Sequence, residues 1–258
     1  MTYAPLDLTG KVAVVIGGTS AIGRALSLGL AQAGADVVPA ARTLQGIDET
    51  AKVVESTGRR SMRVAADVTN RASLESLLQA VTAELGPVDI LVNCAGRTKR
   101  TPTAVVTEGE WEGIFETNLM GTLRACQIFG LPMIRRGYGR IINIASLSSF
   151  VAFHEVAAYS ASKAAVASLT RSLAVEWGPM GVAVNAISPG VFRTDLNREL
   201  LDSTGRGREL LARTPLKRFG QVEELAGACV FLASDAASFV NGEVLVVDGG
   251  FLASGVNQ

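Results

Sequence analysis

A tyrosine and a lysine four residues apart are the pair in this sequence with the clearest capacity for chemistry. The segment 158–166 reads Ala-Tyr-Ser-Ala-Ser-Lys-Ala-Ala-Val and contains Tyr159 and Lys163, in a chain with three tyrosines and five lysines. Residues at this spacing share one face of a helix. An adjacent ammonium lowers the pKa of a phenol, which is about 10 when free. The pair therefore predicts a proton-exchanging phenol, although a surface tyrosine beside a solvated lysine has the same spacing.

A glycine-rich segment offers a second chemical feature, a place for a phosphate. Ile16-Gly-Gly-Thr-Ser-Ala-Ile-Gly23 lies between an apolar run and a helical pattern. Glycines let the main chain approach a pyrophosphate, and a helix N-terminus supplies free N–H groups and a positive dipole end. Because turns need glycine in any case, the position between strand and helix is what favours a dinucleotide.

The residues after the second apolar run bear on which dinucleotide would bind. NAD sites usually carry an acid there for the ribose hydroxyls, whereas NADP sites carry a basic group for the 2′-phosphate. In the segment Pro39-Ala-Ala-Arg-Thr43, Ala41 takes the acid's position and Arg42 follows it. The sequence favours NADP(H) over NAD(H), although a solvated arginine at a helix start is the alternative.

Alternating strands and helices must position these residues. Apolar runs predict strands at Val12–Ile16, Asp36–Pro39, Met62–Ala65, Ile90–Asn93, Arg140–Ile144, Val182–Ile187 and Glu243–Val247. Helices are predicted at Ile22–Ala33, Leu44–Thr57, Arg71–Leu85, Glu110–Arg136, Ala158–Trp177 and Val222–Ala233. Strands that are apolar along their length are covered on both faces. The order predicts an α/β fold with a doubly wound parallel sheet and right-handed crossovers.

Length and composition predict a single domain over residues 1–258. A chain of 258 residues that is 48% hydrophobic can bury one large core. The segment 192–218 has weak periodicity, and an insertion of this kind near the end of a strand is more often a substrate lid than a separate domain.

Charge and cysteine content exclude several classes of protein. Twenty-four basic residues balance twenty-four acidic ones, so we expect neither a nucleic-acid nor a membrane partner. Three separated cysteines and one histidine, His154, argue against a disulfide framework and against a metal site. The sequence has no signal-peptide pattern and no apolar run of about 18–20 residues, so we expect a cytoplasmic protein.

Several further motifs occur in a recognisable order. Ser146 lies thirteen residues before Tyr159, and Asn118 lies in the segment TNLMG. The other motifs are Asp67-Val68, Asn93-Cys-Ala-Gly96, Asn185-Ala-Ile-Ser-Pro-Gly190 with Thr194, and Val247-Asp-Gly-Gly250. With these motifs the chain resembles, over essentially its whole length, the short-chain dehydrogenase/reductase family, which has a Rossmann-type fold. Its glycine segment departs from the family's T-G-x-x-x-G-x-G at Ile16 and Ala21, both of which a dinucleotide site tolerates.

The resemblance implies a role for each motif residue. Tyr159 would be the general acid/base, and Lys163 would lower its pKa and bind the nicotinamide ribose. Ser146 would hold the substrate oxygen, and Asn118 would anchor a water that connects Lys163 to solvent. Cofactor contacts are implied for Gly17, Thr19, Ser20, Ile22, Arg42, Asp67, Val68, Asn93, Ala95, Gly96, Tyr159, Lys163, Pro189, Gly190, Val191 and Thr194.

The resemblance implies that the substrate is a small carbonyl compound or alcohol, and three interpretations are open. The basic loop of Arg97, Lys99 and Arg100 resembles that of gluconate 5-dehydrogenase-like members and could pair with a sugar acid, although a solvated loop is equally compatible. The alternative is a 3-oxoacyl-carrier-protein reductase, but Val175 stands where those enzymes usually have an arginine. A non-catalytic NADP-binding sensor or scaffold should have lost Tyr159 or Lys163, and neither is lost.

Surplus apolar residues on two long helices predict an oligomer. The helices predicted at Glu110–Arg136 and Ala158–Trp177 are apolar on more than one face, which implies a partner. The surplus on the first comprises Ile114, Phe115, Leu119, Leu123, Ile128 and Phe129. In the resembling family these helices form one two-fold interface, and the C-terminal region, here with Phe251 and Leu252, forms another. The expected assembly is a homotetramer, unless the insertion covers the surplus within the monomer.

Overall fold

The apolar runs form a six-stranded parallel sheet in the computed structural model, which describes residues 3–194 and 197–255. The strands are β1 (Val12–Ile16), β2 (Asp36–Ala40), β3 (Ile90–Asn93), β4 (Gly139–Ile144), β5 (Val182–Pro189) and β6 (Val244–Val247). Their order in the sheet is β2-β1-β3-β4-β5-β6, and every neighbouring pair is parallel. The predicted doubly wound α/β fold is confirmed.

Helices cover both faces of the sheet. They are α1 (Ala21–Gln32), α2 (Leu44–Glu55), α3 (Arg71–Glu84), α4 (Glu108–Phe115), α5 (Gly121–Arg136), α6 (Ala157–Trp177), α7 (Arg198–Ser203), α8 (Gly205–Ala212) and α9 (Ala226–Ala233). Alternate residues of β1 face two separate cores, with Val14 packed among side chains of α3, α5 and α6 and Val15 among those of α1 and α9. This two-residue period explains why buried parallel strands are apolar throughout. No helix of the described residues is long and apolar enough to cross a membrane.

The strand predicted at Met62–Ala65 is wrong. This segment joins the sheet edge through one isolated bridge, between Ala41 and Ala65. Just before it, side chains supply part of the hydrogen bonding to β2: Arg60 N–H donates to the Asp36 carboxylate at 2.8 Å, and the Ser61 hydroxyl donates to the Val37 carbonyl at 2.8 Å. One main-chain bond, from Val37 N–H to the Arg60 carbonyl at 3.1 Å, lies beside them. An apolar pattern does not reveal such side-chain substitution at an edge.

The helix predicted at Glu110–Arg136 is interrupted. A π-helical segment, Glu116–Met120, separates α4 from α5 and holds Asn118 at its centre. The Thr122 hydroxyl donates to the Asn118 carbonyl at 2.8 Å, within this irregular turn. Such π-helical insertions in an α-helix occur frequently at functional sites.

The insertion predicted at 192–218 contains the two short helices α7 and α8. Thr204 joins them: its hydroxyl donates to the Leu200 carbonyl at 2.6 Å and accepts from Gly207 N–H at 3.1 Å. A Cβ on Gly207 would lie 2.0 Å from the Leu201 carbonyl oxygen, so the helices touch where that side chain is absent.

The strand order reverses between β1 and β3. From β1 the chain first adds β2 on one side and then crosses to β3 on the other, with Ile16 paired to both Ala40 and Asn93. In open parallel sheets, ligands bind beyond the carboxyl ends of the strands at such a switch point. The glycine-rich segment follows β1 at this place.

Candidate active site

Two adjoining clefts occupy the switch point. The first, of about 430 Å³, extends along the carboxyl ends of β1 and β2. Its predicted cofactor residues are Gly17, Thr19, Ser20, Arg42, Asp67, Val68, Ala95 and Gly96. The second, of about 510 Å³, lies at the carboxyl ends of β4 and β5. Its predicted residues are Ser20, Ile22, Gly96, Tyr159, Lys163, Pro189, Gly190, Val191 and Thr194.

The glycine segment forms a cradle that side chains would fill. Gly17 has a φ of +83°, and a Cβ there would lie 2.5 Å from the Ala95 nitrogen. A Cβ on Gly23 would lie 2.1 Å from the Gly17 oxygen. Ser20 caps α1 by accepting from Gly23 N–H at 3.0 Å, and Ala21 is the first helical residue, where a methyl group is tolerated. The cradle and the helix N-terminus fit the pyrophosphate of a dinucleotide.

At the far end of the first cleft, Arg42 lies where NAD-binding sites usually have an acid that accepts hydrogen bonds from the ribose hydroxyls. Arg42 is exposed, lines the cleft with Ala41, and forms no ion pair with a described residue. Asp67 lies opposite, and one of its oxygens accepts from Thr69 N–H and Oγ1 at 2.9 and 2.8 Å. These hydrogen bonds hold the pKa of Asp67 below its ordinary value, and the nearby Arg42 charge adds to the effect. The surroundings fit a 2′-phosphate better than a bare ribose.

Tyr159 and Lys163 stand one turn apart on α6 at the inner end of the second cleft. The Lys163 ammonium lies 5.9 Å from the Tyr159 ring centre and donates to the Ile144 carbonyl at 2.6 Å. Lys163 is buried, and burial lowers its pKa to about 8. The hydroxyls of Tyr159 and Ser146 share a hydrogen bond, so β4 and α6 bring the three predicted side chains together.

The predicted lowering of the phenol pKa is wrong for the free protein. Burial raises the pKa of Tyr159 above its ordinary value, the hydrogen bond with Ser146 opposes that rise, and Cys94 adds to it. Lys163 is not among the groups that act on the pKa of the phenol, so its ammonium does not reverse the effect of burial. The phenol is therefore protonated at neutral pH.

Asn118 does not hold Lys163 through its side chain. Its Oδ1 accepts from Arg97 N–H at 2.8 Å, and its Nδ2 donates to the Arg97 carbonyl and to the Ser162 hydroxyl, both at 3.0 Å. The buried amide thus makes three hydrogen bonds within the protein, and the predicted water contact stays a prediction. Two of these bonds fix the main chain of Arg97 at the junction of the two clefts.

Asn93 lies beneath the clefts and lines neither of them. Its Nδ2 donates to Asn143 Oδ1 at 2.9 Å and to Cys126 Sγ at 3.3 Å, which ties β3 to β4 and α5. The predicted cofactor contact of Asn93 stays a prediction: this residue lines neither cleft, and its Oδ1 is buried with no hydrogen-bond partner among the described residues.

The predicted cluster of Arg97, Lys99 and Arg100 is divided between two places. Lys99 pairs with Glu110 on α4, away from the clefts, whereas Arg97 and Arg100 line the second cleft. Arg100 pairs with Glu155, which has a φ of +65°. Sequence reasoning missed two residues that line this cleft, Cys94 and Arg206. The basic sequence of the lid was the available signal for Arg206.

A protonated phenol beside a lysine, facing a phosphate cradle across the switch point of a parallel sheet, defines a nicotinamide-dependent oxidoreductase of the Rossmann type. The chain belongs to the short-chain dehydrogenase/reductase family, and its residues 17–252 match a family model described as enoyl-(acyl carrier protein) reductase.

Individual relatives resemble the chain over nearly its whole length. Gluconate 5-dehydrogenase from Gluconobacter oxydans is 39% identical over 248 residues, which are 96% of this chain and 97% of that protein. The 3-oxoacyl-[acyl-carrier-protein] reductase from Escherichia coli is 38% identical over 245 residues, 95% of this chain and 98% of that protein. The crystal structure of a gluconate 5-dehydrogenase from Burkholderia cenocepacia, in complex with NADP and tartrate, is 37% identical and superposes with a TM-score of 0.93, covering 97% of this chain and 98% of that chain.

Proposed function

We propose that this protein is an NADP(H)-dependent oxidoreductase that interconverts a secondary alcohol and a ketone on a small sugar acid or polyol. The observation that carries the proposal is the second cleft, in which Tyr159 and Lys163 meet a wall that includes Arg97 and Arg100. One end of this cleft can exchange a proton with a substrate oxygen, and the other can attract a carboxylate.

The chain's own residues would handle the proton and the substrate oxygen. When bound, the nicotinamide supplies or accepts the hydride. In reduction, Tyr159 donates its proton to the carbonyl oxygen, and Ser146 stabilises the developing charge by a hydrogen bond. Because burial raises the pKa of Tyr159, the protonated form persists through neutral pH. Reduction should therefore be nearly independent of pH around neutrality, and oxidation should accelerate as the pH rises.

The preference for NADP(H) is supported by the outer end of the first cleft. Arg42 has no carboxylate partner among the described residues, and Ala41 offers no acid that would repel a 2′-phosphate. A guanidinium suits bidentate recognition of phosphate. The NADP in the related Burkholderia structure is consistent with this assignment.

A sugar acid is favoured over an acyl-carrier protein by the surface of α6. Val175 is 78% exposed, so its position offers an apolar methyl surface where a carrier's acidic groups need a cation. The gluconate 5-dehydrogenase relatives, one of them solved with the hydroxy acid tartrate, support the choice.

The test is a substrate panel with the purified full chain. NADP⁺ and NAD⁺ are offered with D-gluconate and D-threitol, and NADPH and NADH are offered with an acetoacetyl thioester. We expect NADP⁺-dependent oxidation of the sugar acid or the polyol. Faster turnover of the thioester would establish the carrier reductase. Tight NADPH binding without turnover of any compound would establish a sensor.

We further propose a cytoplasmic homotetramer. Leu131 on α5 and Val175 on α6 are 52% and 78% exposed, which supports an apolar contact between copies along these helices. Half of the predicted surplus, Ile114, Ile128 and Phe129, is buried inside the monomer, so that surface is smaller than the sequence suggested. The three free thiols suit a reducing compartment. Light scattering at micromolar concentration should give a mass of four chains; a mass of one chain would refute the interface.

A further inference from the structure

Arg206, in the first turn of α8, reaches the second cleft from the side opposite β4. It lines the cleft together with Leu210 of the same helix and with Phe153, and these three residues also line a neighbouring cavity of about 750 Å³. Its guanidinium donates to the His154 carbonyl at 3.1 Å, which fixes the head group above the cleft. The lid segment thus contributes a cation to the substrate's surroundings.

The charge in this cleft is one-sided. Its described lining includes the cations Arg97, Arg100, Lys163 and Arg206, and no aspartate or glutamate. A cleft lined by one sign of charge attracts ligands of the opposite charge. The complementary ligand is therefore a small anion with an apolar or hydroxylated body.

The two outer arginines, Arg100 and Arg206, differ in what already neutralises them. Arg100 forms an ion pair with Glu155, whereas Arg206 is half-buried and has no carboxylate within ion-pair distance among the described residues. Burial and the neighbouring Arg100 charge lower the pKa of Arg206, and the more weakly acting Glu155 and Glu209 charges oppose that change without cancelling it. The guanidinium charges of Arg100 and Arg206 repel each other, and an anion bound near both would relieve this repulsion.

Local folding does not explain a cation at this position. Arg206 is the second residue of α8, and a positive charge near a helix N-terminus is unfavourable because the dipole is positive there. Arg208, two residues further along, is exposed and lines neither cavity, so it shows what an ordinary lid arginine does.

We propose that Arg206 binds the carboxylate of the substrate and so selects sugar acids over neutral polyols. This inference rests on the proposed function, because the carboxylate must belong to the molecule whose hydroxyl meets Tyr159. A guanidinium presents two parallel donors to a carboxylate, and the lid helix places them across the cleft from the reacting end.

The test compares Arg206→Gln with wild type on D-gluconate and D-glucitol, which differ at C1, where a carboxylate replaces a primary alcohol. We expect kcat/KM for D-gluconate to fall by about tenfold to a hundredfold, the scale of a lost charge-assisted contact. The change should lie mainly in KM, D-glucitol should change less than about threefold, and Arg206→Lys should recover part of the loss. Arg208→Gln is the matched control and should behave as wild type.

The outcomes separate this inference from the proposed function. Equal losses on D-gluconate and D-glucitol would indicate a structural role for Arg206 and overturn the inference. Unchanged kinetics on D-gluconate would overturn it too, while leaving the sugar-acid oxidoreductase in place. If the wild type oxidises neutral polyols but neither turns over D-gluconate nor is competitively inhibited by it, the sugar-acid assignment fails and the inference fails with it. NADPH binding, measured by fluorescence, should be the same in all variants.

Discussion

The floor and the roof of the second cleft are built from different kinds of interaction. The floor consists of Tyr159 and Lys163 on α6, with Ser146, two residues after β4, acting on the phenol, and with the lysine ammonium held by a buried carbonyl. The roof, residues 97–101, 152–155 and 197–212, is joined by partly exposed contacts such as Arg100 to Glu155 and Arg206 to the His154 carbonyl. Exposed ion pairs contribute little and weaken in salt, whereas buried polar contacts are costly to lose.

The difference indicates where chemistry and selectivity reside. A proton-transferring group must be held within a fraction of an ångström, which packing and buried hydrogen bonds achieve. A group that chooses among substrates benefits from loops that tolerate substitution. We therefore expect floor variants to lose turnover, and roof variants to exchange one substrate preference for another.

The largest effect should come from Tyr159→Phe, which removes the proton donor of the floor and keeps the ring. Turnover should fall by about 10²–10⁴-fold or more, while NADPH affinity stays within a few-fold. Steady-state kinetics and NADPH fluorescence measure the two quantities. The matched control is Tyr138→Phe, because the buried Tyr138 hydroxyl has no hydrogen-bond partner among the described residues. A Tyr159→Phe enzyme with more than about half of the wild-type rate would remove the proposed role.

Lys163→Met should lose both turnover and NADPH affinity, because the family resemblance implies that its ammonium binds the nicotinamide ribose, and a misplaced nicotinamide also slows hydride transfer. The free energy of unfolding should instead increase in the variant, because an ionisable group is no longer buried. Burial depresses the pKa of Lys163 from 10.5 to about 8, so between these values the unfolded chain holds a proton that the folded chain has released. Wild-type stability should consequently rise with pH across this window, by up to about 3 kcal/mol, and that component should vanish in the variant.

Denaturant unfolding at pH 7.5 and pH 9.5 tests the second part of this prediction. Parallel pH dependence in wild type and Lys163→Met would show that Lys163 stays charged when the chain folds. The control is Lys99→Met, in which an exposed lysine paired with Glu110 is removed.

Arg42→Ala tests the outer end of the first cleft, which resembles the roof in being exposed. NADPH binding should weaken by roughly fivefold to a hundredfold, the scale of a charge-assisted phosphate contact, and NADH binding should barely change. Ala41→Asp should move the preference toward NADH, since a carboxylate repels the 2′-phosphate. A wild type that works better with NADH at equal concentration would contradict the assignment.

The smallest effect should come from Glu155→Gln in the roof. Glu155 pairs with Arg100 and also acts on the charge of Arg206, so it weakens the attraction of Arg206 for a substrate carboxylate. Removing the acid should lower KM for D-gluconate by about twofold to fivefold and leave kcat and D-glucitol unchanged. An increase in KM would mean that Glu155 mainly orients Arg100, and would place more structural order in the roof than we infer.

The same division explains how far the sequence could predict this molecule. The strand predicted at Val12–Ile16 has the bounds of β1, and Tyr159 and Lys163 were found together, because local periodicity and spacing determine both. The strand predicted at Met62–Ala65 failed because side chains supply part of the hydrogen bonding at this edge and the main-chain bonds are too few to form a ladder, which periodicity does not record.

Site details that depend on long-range contacts were beyond the sequence. The Asn118 side chain forms hydrogen bonds with the main chain of Arg97, 21 residues away, and Lys99 forms an ion pair with Glu110. Arg206 reaches the cleft from α8, in a segment with weak periodicity, so its place depends on how that helix packs. The phenol pKa likewise depends on burial that only the assembled fold creates.

The close contact between α7 and α8 has a mechanical consequence. At Gly207 the second helix lies directly against the Leu201 carbonyl, and the Thr204 hydroxyl bonds to both helices. A change in the angle between the helices would break both contacts, so we expect α7 and α8 to move as one rigid unit. We therefore expect that α7 and α8 can be moved together into a related enzyme, and that they would bring Arg206 and its proposed substrate preference with them. A bulky residue at position 207 would instead separate the two helices, and we expect such a variant to remain active but to distinguish poorly between sugar acids and neutral polyols.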